Sequence, residues 1–215
     1  MPTINFMKFK HLKLNLLLAL ILLPCSLLVS GCFTVVATGM VAGAVTVADR
    51  RTSGTVLEDQ TIELKFIKRK GEMFPANKRI SVSATSFNRT VLLTGWVPND
   101  EVKNEIASLT AQIENVRNIE NEINIGPPST TSTFGKDALL TAKVKASFIE
   151  KKGLKANVVK VKTESGVVFL MGIVTDEEGA IAADISSRII GTKRVVTLFE
   201  IVSKEDVIKL DSLSK

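Results

Sequence analysis

The side chains that usually make or break bonds are few in this chain and stand apart from one another. Its one histidine, His11, and its two cysteines, Cys25 and Cys32, fall within the first 32 residues, and there is no tyrosine. Metal ligation and histidine-based nucleophilic catalysis therefore lose their usual players beyond that point. Neighbouring carboxylates do occur, as in Asp176-Glu177-Glu178, but these head a predicted helix, where acidic groups are accounted for by the macrodipole. The residues predict no catalytic centre, no metal site and no cofactor. What remains is one thiol with an unusual approach and, farther on, a helix with more apolar surface than a core needs.

The thiol is that of Cys32. Lys8, Lys10 and Lys13 give a basic start, and residues 14–31 carry no charge, the pattern of an export signal with its apolar stretch. Val29-Ser30-Gly31 places small residues before Cys32, which resembles the lipobox whose cysteine is diacylated and becomes the new N-terminus. Cys25 follows Pro24 instead. A plain membrane-spanning anchor is the competing reading, since the uncharged run is close to the ~20 residues that cross a bilayer. On the lipobox reading, residues 1–31 are a signal peptide that is removed and Cys32 is the lipidation site. At ~0.8 kcal/mol per buried methylene, two or three acyl chains make a near-permanent anchor. Phe33 follows the cysteine in place of the aspartate that marks inner-membrane retention, so the expected address is the outer membrane, facing the periplasm. Residues 33–48 are uncharged and too short for a span, and 32–54 reads as the lipidated cysteine and a flexible tether. Beyond residue 31 there are 25 basic and 22 acidic residues, a net charge of +3, too mild to argue for nucleic acid.

The elements that must position any surface follow from an internal repeat. Thr90-Val-Leu-Leu-Thr-Gly-Trp-Val97 aligns with Val167-Val-Phe-Leu-Met-Gly-Ile-Val174, setting Gly95 over Gly172. Each run is followed by an acidic turn and an amphipathic helix, 100–114 and 176–190, and then by an alternating strand, 116–125 and 193–201. Ahead of each lie a helix, 57–70 and 138–152, and a first strand, 80–86 and 158–164, closed by hairpin turns at Asn88-Arg89 and Ser165-Gly166. The unit is α-β-β-α-β, an α+β fold with a small three-stranded sheet and two helices on one face. Residues 55–125 and 136–203 are the two copies, 126–135 is a Pro/Ser/Thr-rich linker and 204–215 a C-terminal tail. Sheets this small bury little surface, so the copies are expected to lean on each other. Glycine inside a strand costs ~0.5–1 kcal/mol against alanine, so Gly95 and Gly172 mark places where a side chain is excluded, by a bulge or by close approach.

The doubled unit, its valine-rich strand ending in Leu-x-Gly-x-Val, the lipobox, the Gly/Ala/Val tether and Asp49-Arg-Arg-Thr-Ser-Gly-Thr55 together resemble the dual-BON outer-membrane lipoproteins. The resemblance covers nearly all of the chain past residue 31 and implies two tandem BON domains. It further implies binding of anionic phospholipid, phosphatidylglycerol-like, through the first helix of the second domain, enrichment at division sites, and support of envelope integrity.

That helix carries two stripes at ~100° per residue. Leu140, Val144, Ser147 and Phe148 make a core stripe, and Leu139, Ala142, Lys143, Ala146 and Ile149 make a second, with Lys136, Lys145, Lys151 and Lys152 around it. Apolar surface ringed by lysine suits an interfacial membrane contact, and packing against the first domain would use the same stripe. By position the resemblance assigns Lys136, Leu139, Ala142, Lys143, Ala146 and Ile149 to lipid, with Leu139 in the place of a tryptophan. In the first-domain helix Ile62, Phe66 and Ile67 are expected inside, and Glu63, Lys65, Lys68 and Arg69 outside with Leu64. Residues 55–125 hold nine basic and ten acidic groups and residues 136–203 eleven and eight, so the second domain is the one suited to an anionic surface. Trp96 is expected to pack. A protein-interaction adaptor, docking on an outer-membrane assembly machine or a periplasmic enzyme, is the competing function.

Overall fold

Thr52 opens the first helix by accepting a hydrogen bond at Oγ1 from the Thr55 amide, 3.1 Å away, which satisfies one of the amides a helix start leaves free. The computed structural model describes residues 49–213, apart from Ala76, Ser129 and the side chains of Thr131, Ser132 and Leu213. Residues 1–48, on which the expected signal peptide, the expected lipidation site Cys32 and most of the expected tether fall, lie outside the described residues. The elements run α1 (Ser53–Met73), β1 (Ser81–Phe87), β2 (Thr90–Val97), α2 (Asp100–Ala111), β3 (Asn118–Ile125), α3 (Thr131–Glu150), β4 (Val159–Glu164), β5 (Val167–Val174), α4 (Asp176–Arg188), β6 (Arg194–Ile201) and α5 (Lys204–Leu213). Two sheets form, ordered β1-β2-β3 and β4-β5-β6, each with one antiparallel and one parallel pair.

Each hairpin turn has both central residues at positive φ, Asn88 and Arg89 in one copy and Ser165 and Gly166 in the other. A buried carboxylate from the preceding helix steadies each turn. Asp59 accepts from the Asn88 and Arg89 amides at 2.8 Å, and Asp137 accepts from those of Ser165 and Gly166 at 2.7 and 2.8 Å. The helices are thereby fixed in one register against their sheets. Ile62 and Phe66 then pack with Ile106 and Leu109 over Val91, Leu93 and Val97, while Leu140, Val144 and Phe148 pack with Ala182 over Val168, Leu170 and Val174.

The opposite faces of the two sheets meet each other. Phe87 and Leu92 of the first domain join Phe169, Met171 and Ile173 of the second in one buried cluster, with Val202 and Leu210 against it. Polar bonds ring this contact, as protein interfaces do. They run from Lys160 to Glu63 and the Ser86 carbonyl, from Asn88 to Glu200 and from Arg194 to Glu122. Three elements and one buried-face assignment differ from the sequence expectation. α1 and α3 start earlier than 57 and 138, so α3 takes in half of the segment read as a linker; residues 204–213 are helical, although no turn or repeat marks them; and Ile67 is 61% exposed, because Asp59 and Phe66 set the roll of α1 and leave it on the outer flank.

Asp49, Arg50 and Arg51 connect the two domains. The Arg50 side chain, 1% exposed, donates to both Glu178 oxygens at 2.7 Å, to the Ile173 carbonyl at 2.8 Å and to Asp211 of α5 at 3.1 Å. Arg51 turns the other way, onto Asp59 at 2.7 Å and over the Phe87 ring at 4.1 Å. Consecutive guanidiniums thus hold one domain each.

Candidate functional site: the outward face of α3

The roll of α3 is set at three points. Asp137 holds the hairpin turn, Thr141 donates to the Thr163 hydroxyl at 2.8 Å, and Leu140, Val144 and Phe148 are 4%, 0% and 0% exposed. At 100° per residue the opposite side must then carry the second stripe. Lys136, Leu139, Ala142, Lys143, Ala146 and Ile149 are all exposed, Leu139 by 57% and Ile149 by 75%. Because the sheets meet through their helix-free faces, the first domain does not cover this stripe. Of the two fates open to it on sequence, packing on the first domain is the one the structure removes.

The extra seven residues at the start of α3, about two turns, add Phe134, 65% exposed, on the flank shared with Lys145. Its Pro/Ser/Thr surroundings hid it, yet Thr130 and Thr133, whose hydroxyls lie 3.2 Å apart, are residues that commonly begin helices. The face offers carbon surface and ammonium groups, with Glu150 the carboxylate at its end. It can adsorb to a surface of opposite charge.

α1 gives an internal comparison. Its outer side also shows apolar residues, Leu57, Leu64 and Ile67 at 64%, 67% and 61% exposure, so Leu64 is not alone there. The charges beside them are mixed and tied inward, however: Lys65 to Glu114 at 2.7 Å, Glu63 to Lys160 at 3.1 Å and Arg69 to the Gln112 carbonyl at 2.8 Å. Trp96 is half-buried, its ring close against Gly126. A Cβ on Gly95 would meet the Ser81 carbonyl at 1.9 Å, and one on Gly172 the Val158 carbonyl at 2.6 Å, so neither glycine has room to approach a ligand.

The BON domain model matches residues 68–127 and 136–203, one match in each copy of the α-β-β-α-β unit. The chain belongs to the BON-domain family, as a tandem two-domain member. It is 37% identical over 182 residues to the outer membrane lipoprotein DolP of Haemophilus influenzae, covering 84% of this chain and 93% of that protein. It is 27% identical over 154 residues to the 21 kDa hemolysin of Actinobacillus pleuropneumoniae, covering 72% and 79%. Among solved structures, CdsD, a structural protein of the type III secretion system of Chlamydia trachomatis, is 16% identical with a TM-score of 0.28, over 71% of this chain and 68% of that one. No described helix is long and apolar enough to cross a membrane.

Proposed function

We propose that this chain is an outer-membrane lipoprotein, anchored through Cys32 and facing the periplasm, whose second BON domain adsorbs to anionic phospholipid through α3 and supports envelope integrity at division sites. It acts by binding and not by catalysis. The observation that carries this reading is the stripe from Leu139 to Ile149, left exposed by a core that is complete without it and bordered by Lys136, Lys143 and Lys145. The similarity to an outer membrane lipoprotein supports the location.

Burying Leu139, Ile149 and part of Phe134 in the headgroup boundary is worth ~1.5–3 kcal/mol for each fully buried side chain. Each lysine near an anionic surface adds ~1 kcal/mol. Neither contribution dominates, so binding should need both anionic lipid and apolar insertion. Flotation of residues 46–215, one compact unit, with vesicles tests this. The unit should float with vesicles containing phosphatidylglycerol and stay behind with phosphatidylcholine alone; flotation with neither would leave α3 without its lipid.

The exposed Leu57, Leu64 and Ile67, with their neutral charge balance, favour a second reading in which α1 docks a protein of the outer-membrane assembly machinery. Substituting Leu64→Glu would then impair envelope function without changing vesicle binding.

A further inference from the structure

We infer that the lipid-facing surface extends from α3 onto the α4–β6 turn, where Ile190 forms a second point of insertion into an anionic bilayer; this rests on the lipid-binding reading of α3. A single exposed apolar residue is ordinary. Ile190 is set apart by its 90% exposure and by what the repeat shows about its place.

The matching turn of the first domain contains Glu114 and Asn115. Asn115, at φ 67°, stands where Gly191 stands at φ 107°, and the amides of Arg117 and Lys193 donate to the hairpin carbonyls of Arg89 and Gly166 at 2.8 and 2.9 Å. Glu114 therefore occupies the place of Ile190. In the first domain this turn lies against α1: Glu114 accepts from Lys65 at 2.7 Å, and Asn115 donates to Glu58 at 2.9 Å. Since Asp59 and Asp137 grip equivalent amides, Lys136 takes the place of Glu58 and Lys143 that of Lys65.

The α4–β6 turn thus adjoins Lys136 and Lys143, and a Cβ on Gly191 would lie 3.9 Å from the Leu140 methyl groups. Where the first domain closes this seam with an ion pair and a hydrogen bond from the Asn115 side-chain amide, the second offers Ile190 and Gly191, which can neutralise neither lysine. Of the other cations nearby, Arg188 is paired with Asp184, Arg194 with Glu122, and Lys193 is bonded to the Ser165 carbonyl. An apolar tip continuous with an apolar stripe, with two ammonium groups between them that meet no carboxylate among the described residues, fits an anionic lipid surface.

The test uses the full lipidated chain, reconstituted through its own anchor into vesicles of phosphatidylethanolamine and phosphatidylglycerol with brominated acyl chains. Trp96→Phe removes the one native tryptophan, and Ile190→Trp or Leu139→Trp supplies a probe. Both probes should lose emission to the bromines and shift to the blue, and both effects should vanish in brominated phosphatidylcholine. Quenching at Leu139→Trp without quenching at Ile190→Trp would overturn the extension and leave the reading of α3 standing. Absence of quenching at both would overturn the two together.

Discussion

At Gly95 a side chain would have to pass into the Ser81 carbonyl, and φ of 125° already excludes most residues. Gly172 has no such dihedral, only the Val158 carbonyl at 2.6 Å from a notional Cβ. Gly95→Ala should therefore cost more than Gly172→Ala, and both, with Gly172→Val, should exceed the ~1 kcal/mol that backbone entropy alone explains. Thermal melts of the three variants check this, and an unchanged midpoint for either position would contradict the packing account. The glycines were legible because both copies place them in strands, where glycine is a cost. Asp59 and Asp137 were not, since an acid on a helix reads as solvated until the hairpin amides it meets are known. Cys32 belongs to the same scale: its small predecessors predict that a palmitate analogue labels the wild type and that Cys32→Ala takes up none. Label retained by that variant would refute the anchor.

At the scale of the element, α3 shows how one residue step separates stability from binding. Phe148 is wholly buried and Ile149 is 75% exposed. Phe148→Ala should lower stability by ~3–5 kcal/mol, whereas Ile149→Ala should leave the melt unchanged and weaken vesicle binding; the reverse pattern would mean the helix is rolled differently. Salt should reduce binding only in part, because screening acts on lysines and not on insertion, and Phe134→Ser should add to the loss. The stripe itself was visible in the sequence, as were both core faces, because 3.6-residue periodicity survives without a structure. The helix ends were less so: the Thr/Ser run at residues 130–133 reads equally as linker and as cap. Ile67 misled for a related reason, lying at the edge of the apolar arc where Asp59, rather than hydrophobicity, decides the roll.

For the whole molecule, the clamp at Arg50 and Arg51 and the meeting of the sheet faces are long-range facts that no local pattern announces. Glu178 and Asp211 are each pushed up by burial, but bonds from Arg50, together with the Thr175 amide for Glu178 and Lys155 for Asp211, bring both below their ordinary values. Depressed carboxyl pKa values stabilise the fold above the ordinary carboxylate range, and that contribution is lost as pH falls through the folded-state values. Arg50→Gln should thus destabilise the protein by on the order of 3 kcal/mol at neutral pH, and the gap from wild type should narrow in acid. Melts of the two proteins from neutral pH downward check this; a gap that is constant with pH would show that the clamp contributes no charge pairing.

The layering also places the outward faces of α1 and α3 on opposite sides of the paired sheets, so that only one of them can lie on a given flat bilayer. On α1, Glu63 and Lys65 hold bonds to other elements whereas Leu64 is 67% exposed, so Leu64 is the position for a matched control. The most direct measurement is the affinity of residues 46–215 for phosphatidylglycerol vesicles in three forms: wild type, Leu139→Glu with Ile149→Glu, and Leu64→Glu. Wild type and Leu64→Glu should bind alike, and the double variant, with an unchanged melt, should not bind. A folded double variant that binds as wild type does would contradict the assignment of α3 to the membrane.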